Sequence, residues 1–386
     1  MREKFLAFIS IISMERHERD ASSVLAHDAY RLPYGCCIAA CFGPPARRTP
    51  SQRMHWHVGI DENGLGPQLG PLVVTAVMAR LTPEANARIA RFPKDFLHQR
   101  LGDSKQLVAH QHVDLAESWA RVLDASMYPD KAPAMCPKHV VGRLLLGGES
   151  QLRSHCPASA VDQCWSCFDA AFHASSAQLQ LAHNDLQHMQ EQGIQVLWMR
   201  SSITCVREFH VAKSRGVSRL DLDLHAMEEL LIAARAYATG PLQACCGKVG
   251  SMQRYVPKFA TLGRYPITTI EQTRGDSVYD VGGVGRVHFL LHGEARDPLL
   301  ARASLVGKWV REQFMDAIVN FYQRLDSSVS RASGYNDPVT RKFVEATSKQ
   351  RQRMGIPATC FARPGATDLT DLKDLKKAPL QTTLKL

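Results

Sequence analysis

His57-Val-Gly-Ile-Asp61-Glu62-Asn-Gly64-Leu65-Gly66-Pro67-Gln-Leu-Gly70-Pro71-Leu-Val-Val-Thr-Ala-Val-Met78 is the stretch around which the chain is organised. A short apolar run ends in two adjacent carboxylates, a Gly-x-Gly turn follows, and a second apolar run at 72–78 leads away. This is the pattern of a β-hairpin with acids at its mouth. Side chains alternate across a strand, so Asp61 and Glu62 share one cleft only if the strand ends beside them. Gly64 and Gly66 let the backbone pass close to a ligand. Taken alone, the stretch is equally a surface hairpin with two solvated acids.

Other stretches follow in order: Gly102-Asp103-Ser104-Lys105-Gln-Leu107, Leu224-His-Ala-Met227, Ala303-Ser304-Leu-Val-Gly-Lys308-Trp-Val-Arg311-Glu312 and Ser333-Gly334-Tyr335. With the hairpin, they resemble the motifs of the type 2 ribonucleases H, the ribonuclease HII/HIII family. Those motifs are Gly-x-Asp-Glu-x-Gly-x-Gly-Pro with a following Gly-Pro, Asp-Ser-Lys, an Ala-Met helix, Ala-Ser-x-x-x-Lys-x-x-Arg-(Asp/Glu) and Gly-Tyr. The resemblance runs from about residue 55 to 345, in a divergent chain. It implies an α/β fold, a ribonuclease H-like mixed central β-sheet flanked by helices, with the active site at one sheet edge.

The resemblance further implies a metal-dependent endoribonuclease that hydrolyses the RNA strand of RNA–DNA hybrids or cuts a ribonucleotide-containing duplex. Asp61, Glu62 and Glu294 would be the catalytic carboxylates, holding Mg²⁺ or Mn²⁺, hard ions suited to carboxylate oxygen. Glu294 takes the family's fourth acidic position, ten residues before the serine of the Ala-Ser helix (304 − 294 = 10); Asp297 is not at that spacing. The third position departs: the family ends the strand after Gly240-Pro241 in aspartate, and Gly247 stands there. No acid lies between Glu229 and Glu271 to restore it. Asp221 and Asp223, at the start of a helix, read most simply as charges favoured by the helix dipole, with Asp223 a distant substitute for the missing ligand.

Substrate contacts follow from the same likeness. Gly64-Leu65-Gly66 would read the RNA 2′-hydroxyl through backbone, with Leu65 replacing the family's usual Arg, Lys or Thr. Ser104 and Lys105 suit a phosphate backbone, while Asp103-Ser104 equally suits a helix-capping turn. Ser304, Lys308 and Arg311, spaced by four and three, share a helix face that is either a solvated stripe or phosphate-facing. Tyr335, after Gly334, would pack at the ribonucleotide junction. Two readings stand: an enzyme weakened by loss of the third acid, and a catalytically impaired relative that binds hybrid or structured nucleic acid. A phosphoryl-transfer enzyme of another substrate class has no supporting motif, since no Gly-x-x-x-x-Gly-Lys-(Ser/Thr) loop is present.

Composition agrees with a polyanionic partner. The chain has 386 residues, and 47 basic against 37 acidic side chains give a formal charge of +10. Eleven cysteines lack the dense, even spacing of a secreted scaffold, and the expectation is a cytoplasmic monomer without a membrane span. Residues 1–53 read as a poorly ordered extension or translated upstream sequence, with Met54 as the functional start. Residues 54–365 read as the ribonuclease H-like domain, and 366–386 as a flexible basic tail that adds non-specific attraction to nucleic acid. An irregular insert at 130–172 carries Cys136, His139, Cys156, Cys164 and Cys167. Their spacing admits zinc, but buried free thiols are the preferred reading. Helices are expected at 82–91, 107–123, 176–189, from 221 to 237 and 299–325, and strands at 194–199, 242–250, 265–270, 277–281 and 286–291.

Overall fold

β1 (His55–Asn63) and β2 (Leu72–Leu81) pair antiparallel from His55–Leu81 to Asn63–Val73, which is the expected hairpin. The structure, a computed structural model, describes residues 54–89, 113–157, 163 and 170–365. The N-terminal extension, the Asp103-Ser104-Lys105 stretch, Cys164, Cys167 and the basic tail lie outside the described residues. β1 does not stop at the acids. It runs to Asn63, so neighbouring side chains alternate between sheet faces as far as the turn.

Five further strands complete one sheet: β3 (Ile194–Thr204), β4 (Leu242–Gly247), β5 (Ile267–Gln272), β6 (Asp276–Val281) and β7 (Gly285–Leu290). The strand order is β3-β2-β1-β4-β7-β6-β5. β1, β4 and β7 run parallel, and the outer pairings are antiparallel, so the sheet is mixed. The helices are α1 (Pro83–Ile89), α2 (Asp114–Met127), α3 (Pro137–Leu144), α4 (Gly148–Leu152), α5 (Ser176–Glu191), α6 (Val206–Ser214), α7 (Arg219–Tyr237), α8 (Pro298–Leu325), α9 (Pro338–Ala346), α10 (Ser348–Arg353) and α11 (Ala358–Phe361). The expected class, a mixed central sheet flanked by helices, is what the chain adopts. Among the described residues no helix is long and apolar enough to cross a membrane.

The alternation of β2 divides the core. Val73, Val77, Ala79 and Leu81 pack with α8, α2 and α5 on one face. Leu72, Val74, Ala76 and Met78 pack on the other, with Val58 and Ile60 of β1 and Leu224, Met227 and Leu230 of α7. A third cluster joins the second half of α8, through Met315, Val319 and Tyr322, to Leu69, Phe343 and Phe361. It brings the C-terminal segment back onto the glycine turn, where Leu69 bridges Ala362.

Two expectations need correction. The insert at 130–172 is not wholly irregular: it contains α3, with Pro137 in its first turn, and α4. Val140, Val141 and Leu144 bury one face of α3, a helical period that the cysteine spacing obscured. Cys136 and Cys156 are half-buried free thiols, and among the described residues neither belongs to a metal-competent cluster. The strand expected at 194–199 extends to Thr204, because the polar residues beyond Met199 still pair with β2. Buried Ser201 meets the hydroxyl of Thr75 at 2.9 Å, so its polarity costs little.

α8 lies directly on β1. A Cβ added at Gly59 would fall 2.0 Å from Leu300 N and 2.3 Å from the Leu299 carbonyl carbon, both backbone atoms. Asp297 caps this helix through Oδ1, which accepts from the Leu299 and Leu300 amides, while its Oδ2 meets His57 Nε2 of β1 at 2.5 Å. Burial alone would raise the Asp297 carboxyl, but His57 and the capping bonds hold it below the usual carboxylate value. Gly59→Ala should therefore push α8 off the sheet and cost about 3 kcal/mol. The thermal midpoint should fall by roughly 4–5 °C; an unchanged midpoint would show that the helix has room to move.

Candidate metal centre

The acids lie towards the ends of β1 and β4, strands in the middle of the sheet order. Asp61 lies on the α8 side of β1, with His57, Gly59 and Asn63, and the Ser304 hydroxyl of α8 donates to its carboxylate. Asn63 Nδ2 donates to the Ser304 carbonyl at 3.1 Å, which ties the strand end to the same helical turn. Glu294, in a 3₁₀ turn (Gly293–Ala295) after β7, acts electrostatically on Asp61, as does Glu62. Burial, then Glu62 and Glu294, push the Asp61 carboxyl well above its ordinary value, with Ser304 opposing them.

Glu62, next along the strand, accepts the Leu65 amide of the glycine turn at 3.1 Å. That turn is fixed from beneath. Gly64 has φ +94°, and a Cβ there would meet Arg311 Nε at 2.6 Å. Arg363 donates to the carbonyls of Gly64 at 2.6 Å and Gly70 at 2.8 Å, with its guanidinium 4.3 Å from the Phe209 ring centre. Burial lowers the Arg363 pKa. Nothing in the sequence pointed to Arg363, because its partners are backbone carbonyls and leave no residue pattern.

The other sequence-derived positions fall into three groups. Ser304 and Arg311 are turned into the protein: Ser304 is 6% exposed beside Asp61, and Arg311 is 2% exposed under Gly64, donating to the Ser333 carbonyl. The face expected to be solvated or phosphate-facing is thus buried at both residues, and Lys308 between them is half-buried. Leu65 is half-buried against the α7-side core, whereas Gly66 is exposed and its carbonyl accepts from Asn336 at 3.4 Å. Tyr335 is exposed, with its ring 5.0 Å from the Arg311 guanidinium carbon. Ser104 and Lys105 lie outside the described residues.

Gly247 closes β4 beside Asp61, where a Cβ would stand 2.2 Å from Asp61 Oδ1. Asp223 differs most from its expected role. It is not a solvated charge ahead of a helix: it lies inside α7, has no exposed surface, and neither carboxylate oxygen has a hydrogen-bond partner. Its dominant influences are burial and then the charges of Glu62 and Asp61, and all three raise its pKa well above the ordinary value.

Carboxylate oxygens such as those of Asp61 and Asp223, both raised by burial and by neighbouring acids, are hard donors of the kind that suit Mg²⁺ or Mn²⁺. Among the described residues, the group whose ligand atoms all lie within 4.8 Å of one another is instead His57, Cys245 and Asp297. Asp297 there already caps α8 and pairs with His57, and burial raises the Cys245 thiol, so this group reads as a polar lock between β1, β4 and α8. Ser304→Ala removes a donor that favours ionised Asp61, so the Asp61 pKa should climb further. Mn²⁺ binding, which needs the ionised acid, should then require higher pH. Calorimetric titration of the ion from pH 5 to pH 9 should show the binding profile shifted alkaline; a profile superimposed on that of the parent would contradict the Ser304 role.

No protein-family model matches the chain, and no characterised protein sequence matches it. Solved structures give distant likenesses. Ribonuclease HII of Archaeoglobus fulgidus, solved in complex with PCNA, is 15% identical over 80% of this chain and 93% of its own, with a TM-score of 0.37. Ribonuclease H2 of Pyrococcus horikoshii is 13% identical over 83% and 99%, with a TM-score of 0.39. Bst-RNase HIII in complex with Mn²⁺ is 12% identical over 83% and 69%, with a TM-score of 0.37.

Proposed function

We propose that this protein is a divalent-metal-dependent endonuclease that hydrolyses the RNA strand of RNA–DNA hybrids or of duplexes containing ribonucleotides. The observation that carries the reading is that the charges of Glu62, next along β1, and of Glu294, in the turn after β7, bear on Asp61 next to a braced glycine turn. Asp61, Glu62 and Glu294 would hold Mg²⁺ or Mn²⁺, which supplies an activated water and neutralises charge on the phosphate. The protein's own work is positional. Ser304 orients Asp61, the Leu65 amide orients Glu62, and Arg363 with Arg311 fixes the turn that carries both glycines.

Gly66 and Tyr335 are the exposed parts of this surround, a backbone and an aromatic ring suited to a ribose and its base. The formal charge of +10 favours a polyanionic substrate. Glycine at position 247 favours a second reading, a nucleic-acid-binding relative that does not cut.

The full chain assayed on an end-labelled RNA–DNA hybrid, and on a duplex with one embedded ribonucleotide, separates the two. Cleavage should require Mg²⁺ or Mn²⁺ and fall by roughly a hundredfold or more in Asp61→Asn, with binding retained. Salt-sensitive binding with no metal-dependent turnover would establish the binding relative instead.

A further inference from the structure

We propose that Asp223 of α7 supplies the third carboxylate of the metal centre, reaching it from the helix side in place of the absent acid at the end of β4. The proposal rests on the metal-dependent reading above and adds a ligand to it. α7 does not need Asp223 for its own stability. Ser218 and Asp221 already form a reciprocal cap, with the Ser218 hydroxyl accepting the Asp221 amide at 3.1 Å and Asp221 Oδ2 accepting the Ser218 amide at 3.1 Å. Asp223 lies beyond that cap, between half-buried Leu222 and fully buried Leu224.

Its carboxylate is completely buried with both oxygens unpartnered, an arrangement that core packing alone would remove. Leu224 and Met227, on the same helix, pack with Val58 and Ile60 of β1, and the charges that bear on Asp223 are those of Glu62 first and Asp61 second, at the end of that strand. Such a side chain destabilises the metal-free protein and becomes useful when a cation arrives. Position 247 fits the same arrangement. The Asp61 carboxylate overlies Gly247 so closely that any side chain there must displace it. An acid on β4 and the observed Asp61 position therefore exclude each other, while an acid on α7 approaches from the opposite sheet face.

The test is Mn²⁺ binding to the full chain, followed by calorimetry and by electron paramagnetic resonance, beside Asp61→Asn, Asp223→Asn, Asp221→Asn and Gly247→Asp, with circular dichroism to establish folding. Asp223→Asn should weaken Mn²⁺ by about tenfold or more and raise the thermal midpoint of the metal-free protein. Asp221→Asn should lower the midpoint without changing Mn²⁺ affinity, and Gly247→Asp should weaken Mn²⁺ by displacing Asp61. Asp223→Ala offers a second replacement if the asparagine variant does not fold. Parent-like affinity in a folded Asp223 variant, with Mn²⁺ lost in Asp61→Asn, would overturn the role of Asp223 and leave the metal centre intact. Failure of the parent to bind Mn²⁺, or binding unaffected by Asp61→Asn, would overturn the metal-dependent reading and this proposal together.

Discussion

The contact between α8 and β1 at Gly59 sets the position of everything else in the centre. With no side chain at 59, the first turn of the helix rests against the strand backbone, and the Asp297–His57 pair holds it there. Seven residues further along α8 than Asp297, Ser304 then meets both Asp61 and Asn63. About two more turns bring Arg311 under Gly64, and the far half of the helix carries the cluster that returns Arg363 to the glycine turn. A 28-residue helix thus serves as the ruler along which acid, turn and aromatic loop are spaced.

The centre works against stability in the absence of a cation. Asp61 and Asp223 both have pKa values raised by burial and by neighbouring carboxylates. A carboxyl whose folded pKa lies above its unfolded value stabilises the fold fully below that unfolded value and loses the contribution as pH rises through the folded one. Near neutrality the metal-free site is therefore a source of repulsion and desolvation cost, on the order of several kcal/mol per ion before relaxation. A divalent ion bound there would reverse the balance by supplying the charge that the protein withholds. Cationic Arg363 does not fill that role: although Glu62 bears on it, its hydrogen bonds go to the carbonyls of the glycine turn.

Much of the fold was legible because local patterns and tertiary context agree. The Asp-Glu hairpin and the periods of α5, α7 and α8 all read correctly, and Thr82 accepts the Ala85 amide as expected of the residue before α1. Elements failed to show where partners lie far apart in sequence. The polar half of β3 is a strand because Thr75 satisfies Ser201, and Arg363 matters through carbonyls about 300 residues earlier (363 − 64 = 299). Ser304, Lys308 and Arg311 share a face as their spacing requires, but periodicity cannot say whether a face meets solvent or β1. The same ambiguity hid Asp223. An aspartate near a helix start reads as a dipole charge, and only the packing of α7 on β1 shows its carboxylate buried, with the charges of Glu62 and Asp61 bearing on it.

The most direct test of this account is the anomalous difference density of crystals of the full chain grown with Mn²⁺. The account predicts a peak at the C-terminal end of β1, about 2.1–2.3 Å from carboxylate oxygens of Asp61 and Glu62, with Glu294 and Asp223 facing it. Density only at His57, Cys245 and Asp297, or none at the end of β1 under saturating Mn²⁺, would contradict it.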